Sequence, residues 1–137
     1  MKIYIGLSFF TYMKVKDLMG QPSIIEKDVN LVEAAKLMSS KGIGSLIFVL
    51  KNKAKGILTE GDLVKNFGKH KKISGVMSKN MLSITPEETI DSALQIMNEN
   101  KIKRLPVIDE KKRLVGIISI MHIASCVDKL EGEFILN

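Results

Sequence analysis

An internal duplication restricts the fold of this sequence more than any other feature. Residues 34–38 return as residues 93–97, and residues 45–49 correspond to residues 104–108, in both cases 59 positions further on. Two copies of this size are too few for a solenoid, which needs at least three repeats to bury a continuous core. We therefore predict two similar halves that pack face to face.

Each copy has the hydrophobic pattern of a β-α-β-β-α unit. In the first copy, apolar residues at i, i+3, i+4 and i+7 follow Asn30, which predicts a helix that Asn30 caps and Gly42 ends. A continuous apolar run at residues 45–50 lacks alternation, which predicts a strand covered on both faces. The fold class that we predict is α+β. The predicted helices span 31–41, 60–67, 90–100 and 120–127, and the predicted strands span 45–50, 56–59, 104–108 and 114–119.

Short segments flank the two repeats. The apolar start of the chain lacks the small-residue cleavage site of a signal peptide, so we expect either an extension from an upstream start or an extra strand. In the helix that closes the first repeat, we expect Leu63, Val64 and Phe67 to face inward. The predicted divisions are an N-terminal extension (1–12), a first repeat (13–68), a linker (69–72), a second repeat (73–128) and a C-terminal tail (129–137).

The composition restricts the kinds of protein and of binding partner that we expect. The net charge is +6, but the basic residues are scattered apart from residues 69–72 and 101–104. A nucleic-acid footprint would be a denser stripe, so we do not expect nucleic-acid binding. The single Cys126 fits a small core residue in a reducing, cytoplasmic protein without a disulfide framework. No apolar run approaches the roughly 18 residues that span a bilayer, so we predict no membrane segment.

Each copy also repeats a junction between a strand and a helix. An apolar run ends at a hydroxyl residue, and a polar residue follows three positions later: Thr59 and Asp62 in the first copy, Ser119 and His122 in the second. An ionised carboxylate accepts hydrogen bonds from both hydroxyls of a vicinal diol, which suits a ligand site. The same spacing is close to that of a capping box, which stabilises a helix start without any ligand. The spacing alone leaves both interpretations open.

The ordered set of motifs, present twice, resembles the CBS-domain family. The features that carry the resemblance are residues 15–19, the helix that ends in Met38, residues 56–63 and residues 105–109, and the match extends from Val15 to about Val127. Tandem pairs of this kind resemble Bateman modules, which place two sheets side by side about a pseudo-twofold axis. Their clefts commonly hold adenosyl ligands such as AMP, ADP, ATP or S-adenosylmethionine.

The resemblance implies a role for particular residues. Asp62 would bind the ribose, and Arg104, two residues before the proline of its strand, would bind phosphate, since a guanidinium can donate bidentately. Residues 23–25 and 81–84 would line the adenine through backbone groups and apolar contacts. The full implied ligand set is Ser23, Ile24, Ile25, Thr59, Asp62, Leu82, Ile84, Arg104, Pro106, Val107, Ser119 and His122; no catalytic or metal-binding residue is implied.

The two copies depart from the family pattern in different places. His122 stands where an aspartate is expected, and a neutral imidazole offers one acceptor where a carboxylate offers several. In the first copy, Ile47 replaces the proline and Ser45 replaces the base. We therefore expect unequal clefts: one tight ligand at Asp62, with Arg104 of the other half on its phosphate, and a weak or empty cleft at His122.

These features favour regulation over catalysis. We expect a sensor that binds an adenosyl ligand in a cleft between the repeats and acts in trans on an unknown protein; the alternative is a ligand-free dimerisation scaffold. An enzyme is disfavoured, because the sequence shows no metal-ligand cluster and no activated nucleophile. We also expect a homodimer, because one small sheet leaves apolar helix faces uncovered. The faces concerned are Leu63, Val64 and Phe67, or Ile120, Ile123 and Val127.

Overall fold

The helices and strands follow the order that the duplication predicts, which confirms the α+β class. The computed structural model describes residues 10–136, with side chains as far as Lys129. The first copy comprises helix α1 (Val15–Leu18), strand β1 (Ile24–Ile25), helix α2 (Leu31–Lys41), strands β2 (Ser45–Leu50) and β3 (Lys53–Thr59), and helix α3 (Glu60–Lys65). The second comprises a 3₁₀ turn (Ile73–Gly75), helix α4 (Ile90–Asn100), strands β4 (Arg104–Ile108) and β5 (Leu114–Ser119), and helix α5 (Ile120–Leu136).

Packing divides the chain at other points than the sequence repeats do. One compact unit is Pro22–Met81, and we call it the inner unit because it is the inner stretch of the sequence. The other, called the outer unit for the same reason, joins the residues up to Gln21 to those from Leu82 onward. Each unit therefore contains the short helical segment with which the other repeat begins. In the outer unit the amide of Val15 donates to the carbonyl of Glu88 at 2.8 Å. In the inner unit the amide of Ile73 donates to the carbonyl of Val29 at 3.0 Å.

A side-chain contact also fixes the 3₁₀ turn to the inner unit. The Ser74 hydroxyl donates to Asp28 Oδ2 at 2.6 Å, and the Ser74 amide donates to Asp28 Oδ1 at 3.1 Å. The hydroxyl is the main cause that lowers the pKa of Asp28 below its ordinary value, because hydrogen bonds to the carboxylate favour its charged form.

The inner unit is built on a three-stranded sheet in the order β1-β2-β3, with β1 parallel and β3 antiparallel to β2. Helix α2 covers the sheet and has the predicted caps. Asn30 Oδ1 accepts from the amide of Glu33 at 2.9 Å, and Gly42 ends the helix in the left-handed conformation (φ 63°). The buried core of this unit consists of Leu31, Ala34, Met38, Leu46, Phe48, Leu58, Ile73 and Met77.

The outer unit has an antiparallel pair, β4 and β5, with only a single bridge from Ile84 to Val107 in place of a third strand. Proline explains the difference. In the inner unit the amide of Ile47 donates to the carbonyl of Ser23 at 2.8 Å, and Pro106 occupies the position of Ile47 in the second copy. Because proline has no amide hydrogen, that ladder bond is lost.

The predicted inward orientation of Val64 and Phe67 is wrong. Helix α3 ends at Lys65, where the Asn66 side chain donates to the carbonyl of Asp62 at 2.8 Å. Val64 is 76% exposed and Phe67 is 90% exposed, and only Leu63 packs against the inner core. A helix of six residues completes fewer than two turns, and Phe67 lies beyond its end at Lys65, so Phe67 cannot share a helical face with Leu63.

One strand and one helix are longer than the sequence predicted. Strand β3 begins at Lys53 and not at Gly56, because Lys51 and Asn52 both adopt positive φ (50° and 62°) and form a two-residue hairpin. Helix α5 continues past Val127 to Leu136 and so includes residues assigned to a tail; the added segment has no proline that would stop a helix. No helix in the described part of the chain is both long and apolar enough to cross a membrane.

The ends of the chain also modify two predictions. Residues 10–12 of the predicted extension are helical rather than extended, and Phe10 is buried in the outer core; residues 1–9 lie outside the described residues. On helix α5, Ile123 is buried and Val127 packs against the same core. In the part of α5 whose side chains are described, the large apolar side chains that are exposed are Ile120 and Met121.

Gly56 is a point of close approach on which the inner unit depends. A Cβ at position 56 would lie 2.6 Å from Met77 Sδ and 2.8 Å from the carbonyl oxygen of Ser78. We predict that Gly56→Ala lowers the free energy of unfolding by about 1–3 kcal/mol, the usual effect of overpacking. Gly75→Ala is the matched control, because nothing lies within 4 Å of a Cβ there. Urea unfolding measures both, and equal effects would contradict the packing argument.

Candidate functional site

The first junction combines a helix cap with an available carboxylate oxygen. Thr59 ends β3, and its amide donates to Asp62 Oδ2 at 2.8 Å, while the Thr59 hydroxyl lies 3.3 Å from the same oxygen. These contacts close the capping box that the spacing predicted. Within the part of the chain that the structure describes, Asp62 Oδ1 accepts no hydrogen bond. The cap therefore uses one oxygen of the half-buried carboxylate, and the other has no partner among the described residues.

The sheet of the inner unit brings further hydroxyl residues to the same end. Ser45, the first residue of β2, is the register partner of Thr59, and the carbonyl of Ser23, just before β1, accepts from the amide of Ile47. Ser23 and Ile25 are half-buried and Ile24 is exposed. Ser23, Ser45 and Thr59 thus lie at one end of a single sheet, as a small-molecule site formed by strand ends requires.

The second junction has the same backbone geometry but different side-chain chemistry. Arg104 is the register partner of Ser119, and the amide of Ile120 donates to the carbonyl of Lys103 at 3.0 Å. The buried Ser119 Oγ accepts from the amide of His122 at 3.2 Å and lies 3.1 Å from His122 Nδ1. Ser119 and His122 therefore hydrogen-bond to each other, while Arg104 is half-buried on the neighbouring strand.

The remaining predicted ligand residues of the outer unit lie around the bridge at Ile84. The amide of Ile84 donates to the carbonyl of Pro106 at 3.1 Å, and the side chains of Ile84, Pro106 and Val107 are buried in the core. Leu82 is exposed. Only Leu82 therefore has a side chain available to a ligand, and contact with Ile84, Pro106 and Val107 remains a prediction.

Gly20 is a residue of the second junction that the sequence argument missed. A Cβ at position 20 would lie 2.9 Å from His122 Nε2 and 3.1 Å from its Cε1, so the imidazole occupies the space of a side chain there. The signal was present in the duplication, because Gly20 follows Met19 as Ser78 follows Met77. Residues 15–19 correspond to residues 73–77 in the duplication, and extending this correspondence by one position pairs Gly20 with Ser78.

Other kinds of site have little support in the described residues. No group of three or more histidine, cysteine, aspartate or glutamate side chains in this part of the chain could hold a metal ion. An open depression of about 400 Å³ lies on the outer unit, and it shares only Ile84 with the predicted ligand set. Its lining residues are Ser83, Ile84, Thr85, Glu88, Ser92, Gln95, Ile96 and Glu99.

Comparison with known sequences identifies both repeats. The sequence profile of the CBS domain matches residues 15–69 and 73–129. The uncharacterized protein MJ1232 of Methanocaldococcus jannaschii is 32% identical over 132 residues, which is 95% of this chain and 44% of that protein. A homoserine O-acetyltransferase of Methanococcoides burtonii is 34% identical over 118 residues, 84% of this chain and 24% of that protein. This chain thus spans less than half the length of either relative.

Comparison with solved structures agrees with the sequence match. The crystal structure of the CBS domain pair of protein MJ0100, in complex with 5′-methylthioadenosine and S-adenosyl-L-methionine, superposes with a TM-score of 0.80 at 27% identity. The superposition covers 86% of this chain and 98% of that one. The fold predicted from the resemblance is therefore confirmed.

Proposed function

Because the chain belongs to the CBS-domain family, we propose that it is a regulatory module that binds an adenosyl ligand at the Thr59–Asp62 junction. The ligand class comprises AMP, ADP, ATP and S-adenosylmethionine. The single observation that carries the proposal is the half-buried carboxylate of Asp62, which is held by its own helix cap through Oδ2 and keeps Oδ1 unused among the described residues.

Ribose recognition follows from the chemistry of this carboxylate. An ionised carboxylate accepts hydrogen bonds and donates none, and each of its oxygens can accept two. The capping bonds from Thr59 fix the orientation of Asp62, so Oδ1 can receive the 2′- and 3′-hydroxyls of a ribose without a further loss of side-chain freedom. The CBS pair of protein MJ0100, in complex with two compounds that carry this diol, supports the same ligand class here.

Arg104 remains the predicted phosphate ligand, for ligands that carry a phosphate. Its guanidinium is half-buried on β4, opposite the start of helix α5, and it makes no hydrogen bond or ion pair with the residues for which side chains are described. The backbone segments at 23–25 and 81–84 each remain predicted contacts to adenine. Ser45 is the counterpart of Arg104 in the first copy. It cannot replace the basic side chain of an arginine, since a hydroxyl carries no charge.

The proposal contains no catalytic step. Ser119 and His122 have the 3.1 Å separation of a nucleophile and a base, but the serine hydroxyl is buried and caps the amide of His122. A nucleophile must reach its substrate, so we interpret this pair as structural. We propose that regulation occurs in trans, in the cytoplasm, on a protein that the sequence does not identify; the free Cys126 suits a reducing compartment.

A ligand-free dimerisation scaffold is the second candidate. The observation that favours it is the exposure of large apolar side chains on helices α3 and α5 and on the turn after α3: Val64, Phe67, Ile120 and Met121. Exposed apolar patches often mark interfaces between proteins. A homodimer is compatible with both candidates, so ligand binding is the property that separates them.

The first prediction concerns ligand binding itself. We expect one or more adenosyl compounds to raise the melting temperature, because a ligand at 100 times its Kd adds about 2.7 kcal/mol to the stability of the folded state. A thermal-shift panel of AMP, ADP, ATP and S-adenosylmethionine tests this, with 2′-deoxy-AMP as the matched control for the diol. If no compound shifts the melting temperature and calorimetry detects no heat, the scaffold is favoured.

The second prediction separates the ligand role of Asp62 from its capping role. In Asp62→Asn the amide oxygen can still cap Thr59, but the group that faces the ligand becomes a donor. We expect a roughly 10- to 150-fold weaker Kd, equivalent to about 1.5–3 kcal/mol, with a small change in melting temperature. Asp17→Asn is the matched control, because Asp17 caps α1 in the same way. If the Asp62→Asn variant binds the adenosyl ligand as tightly as the unaltered protein does, Asp62 is only a helix cap and does not bind the ligand.

The third prediction is a homodimer in solution. We expect light scattering at micromolar concentration to give twice the chain mass, because closed twofold pairing is the commonest way to bury such a surface. Phe67→Ser should weaken the dimer. Tyr12→Ser replaces another highly exposed aromatic residue (83%) and should not. A monomer at all concentrations would refute the prediction.

A further inference from the structure

The two junctions share a backbone arrangement but differ at two positions together. In the outer unit Gly20 and Ile117 exchange amide–carbonyl hydrogen bonds at 2.9 and 3.0 Å. In the inner unit Ser78 and Ile57 exchange the equivalent bonds at 2.9 and 3.0 Å. Residue 20 of the outer unit therefore corresponds in space, as well as in sequence, to Ser78 of the inner unit. The first copy combines Ser78 with Asp62, and the second combines Gly20 with His122.

Space beside residue 20 explains why the two positions change together. A Cβ at position 20 would stand 2.9 Å from His122 Nε2, which is closer than van der Waals contact permits. Glycine is thus needed for the imidazole to lie where it does, and the φ of Gly20 is not positive, so backbone conformation does not require it. The ring occupies the space that a side chain at position 20 would need.

Hydrogen bonding leaves this junction without a carboxylate-like acceptor. Ser119 Oγ accepts from the amide of His122, so its own hydrogen is available for Nδ1 at 3.1 Å. His122 Nδ1 is therefore engaged by Ser119, and Nε2 is the ring nitrogen beside Gly20. The ring leaves at most one nitrogen for a ligand, whereas Asp62 Oδ1 can accept two hydrogen bonds.

We propose that Gly20 and His122 are a matched pair that closes the second junction to the ribose diol, so that the chain carries one diol-binding junction. The inference rests on the proposed function of the Asp62 junction. It adds Gly20 as the residue that accommodates the imidazole. It also implies that serine at position 20 and aspartate at position 122, the residues found in the first copy, would open the second junction to the diol. Within the opened junction, an aspartate at 122 can accept from the amide of Ser119, as Asp62 accepts from Thr59.

The test is a double-mutant cycle of Gly20→Ser and His122→Asp. We expect Gly20→Ser alone to lower the melting temperature, because the new Cβ displaces the imidazole. In the His122→Asp background the same change should have little effect. Gly75→Ser, at a site with nothing within 4 Å of a Cβ, controls for the loss of glycine. An equal effect of Gly20→Ser in both backgrounds would show that the two positions are not matched.

Ligand stoichiometry tests the closure. The probe is 5′-methylthioadenosine, which carries the diol but no phosphate, so that Arg104 has no phosphate to bind. By titration calorimetry we expect one site per chain in the unaltered protein and two in the Gly20→Ser, His122→Asp variant. His122→Asp alone, which introduces no new contact at residue 20, provides a second folded variant with an acceptor at the junction.

The outcomes separate this inference from the function on which it rests. If the Gly20→Ser, His122→Asp variant still binds one ligand per chain, and Asp62→Asn abolishes that binding, the proposed closure is wrong and the Asp62 site is retained. No site in the unaltered protein with one in the double variant supports the closure and refutes the Asp62 site. No binding to either protein, or two equal sites in the unaltered protein, overturns the closure.

Discussion

The close approach of two backbones beside Gly56 and Gly116 is the constraint on which both units depend. At each glycine, the segment that begins the other repeat lies against a strand, with a methionine sulfur 2.6 Å from where a Cβ would be. The hydrogen bonds of Ile57 with Ser78 and of Ile117 with Gly20 form in the same place. A side chain at either glycine would separate these backbones, and in the outer unit the same contact positions Gly20 beside His122.

The duplication made the elements predictable, but it could not show how the chain divides into packed units. Helices α2 and α4 and strands β2, β4 and β5 begin and end where hydrophobic periodicity and caps place them, because those signals are local. The assignment of α1 to the outer unit depends on contacts between residues far apart in sequence, such as Val15 and Glu88. Local patterns carry no information about such pairings.

The candidate site shows the same division between local and distant information. Thr59 and Asp62 are three residues apart, so their capping box could be read from the spacing, and the structure confirms the contact. Gly20 and His122 are about a hundred residues apart, and only the folded chain shows that they touch. The error at Val64 and Phe67 has another cause: apolar character predicted burial, but the short helix α3 has no core beneath its outer face.

The contiguity of the inner unit has a consequence for the order in which the protein can fold. Pro22–Met81 is one uninterrupted segment, whereas the outer unit needs both Val15 and the strands beyond Leu82. A ribosome that synthesises the chain from its N-terminus releases every residue of the inner unit before the outer core can form. Domains tend to fold as units during synthesis, so the inner unit can fold while the partner strands of α1 are still being made. Val15, which is buried in the outer core, has no core to pack against until the chain beyond Leu82 has been synthesised.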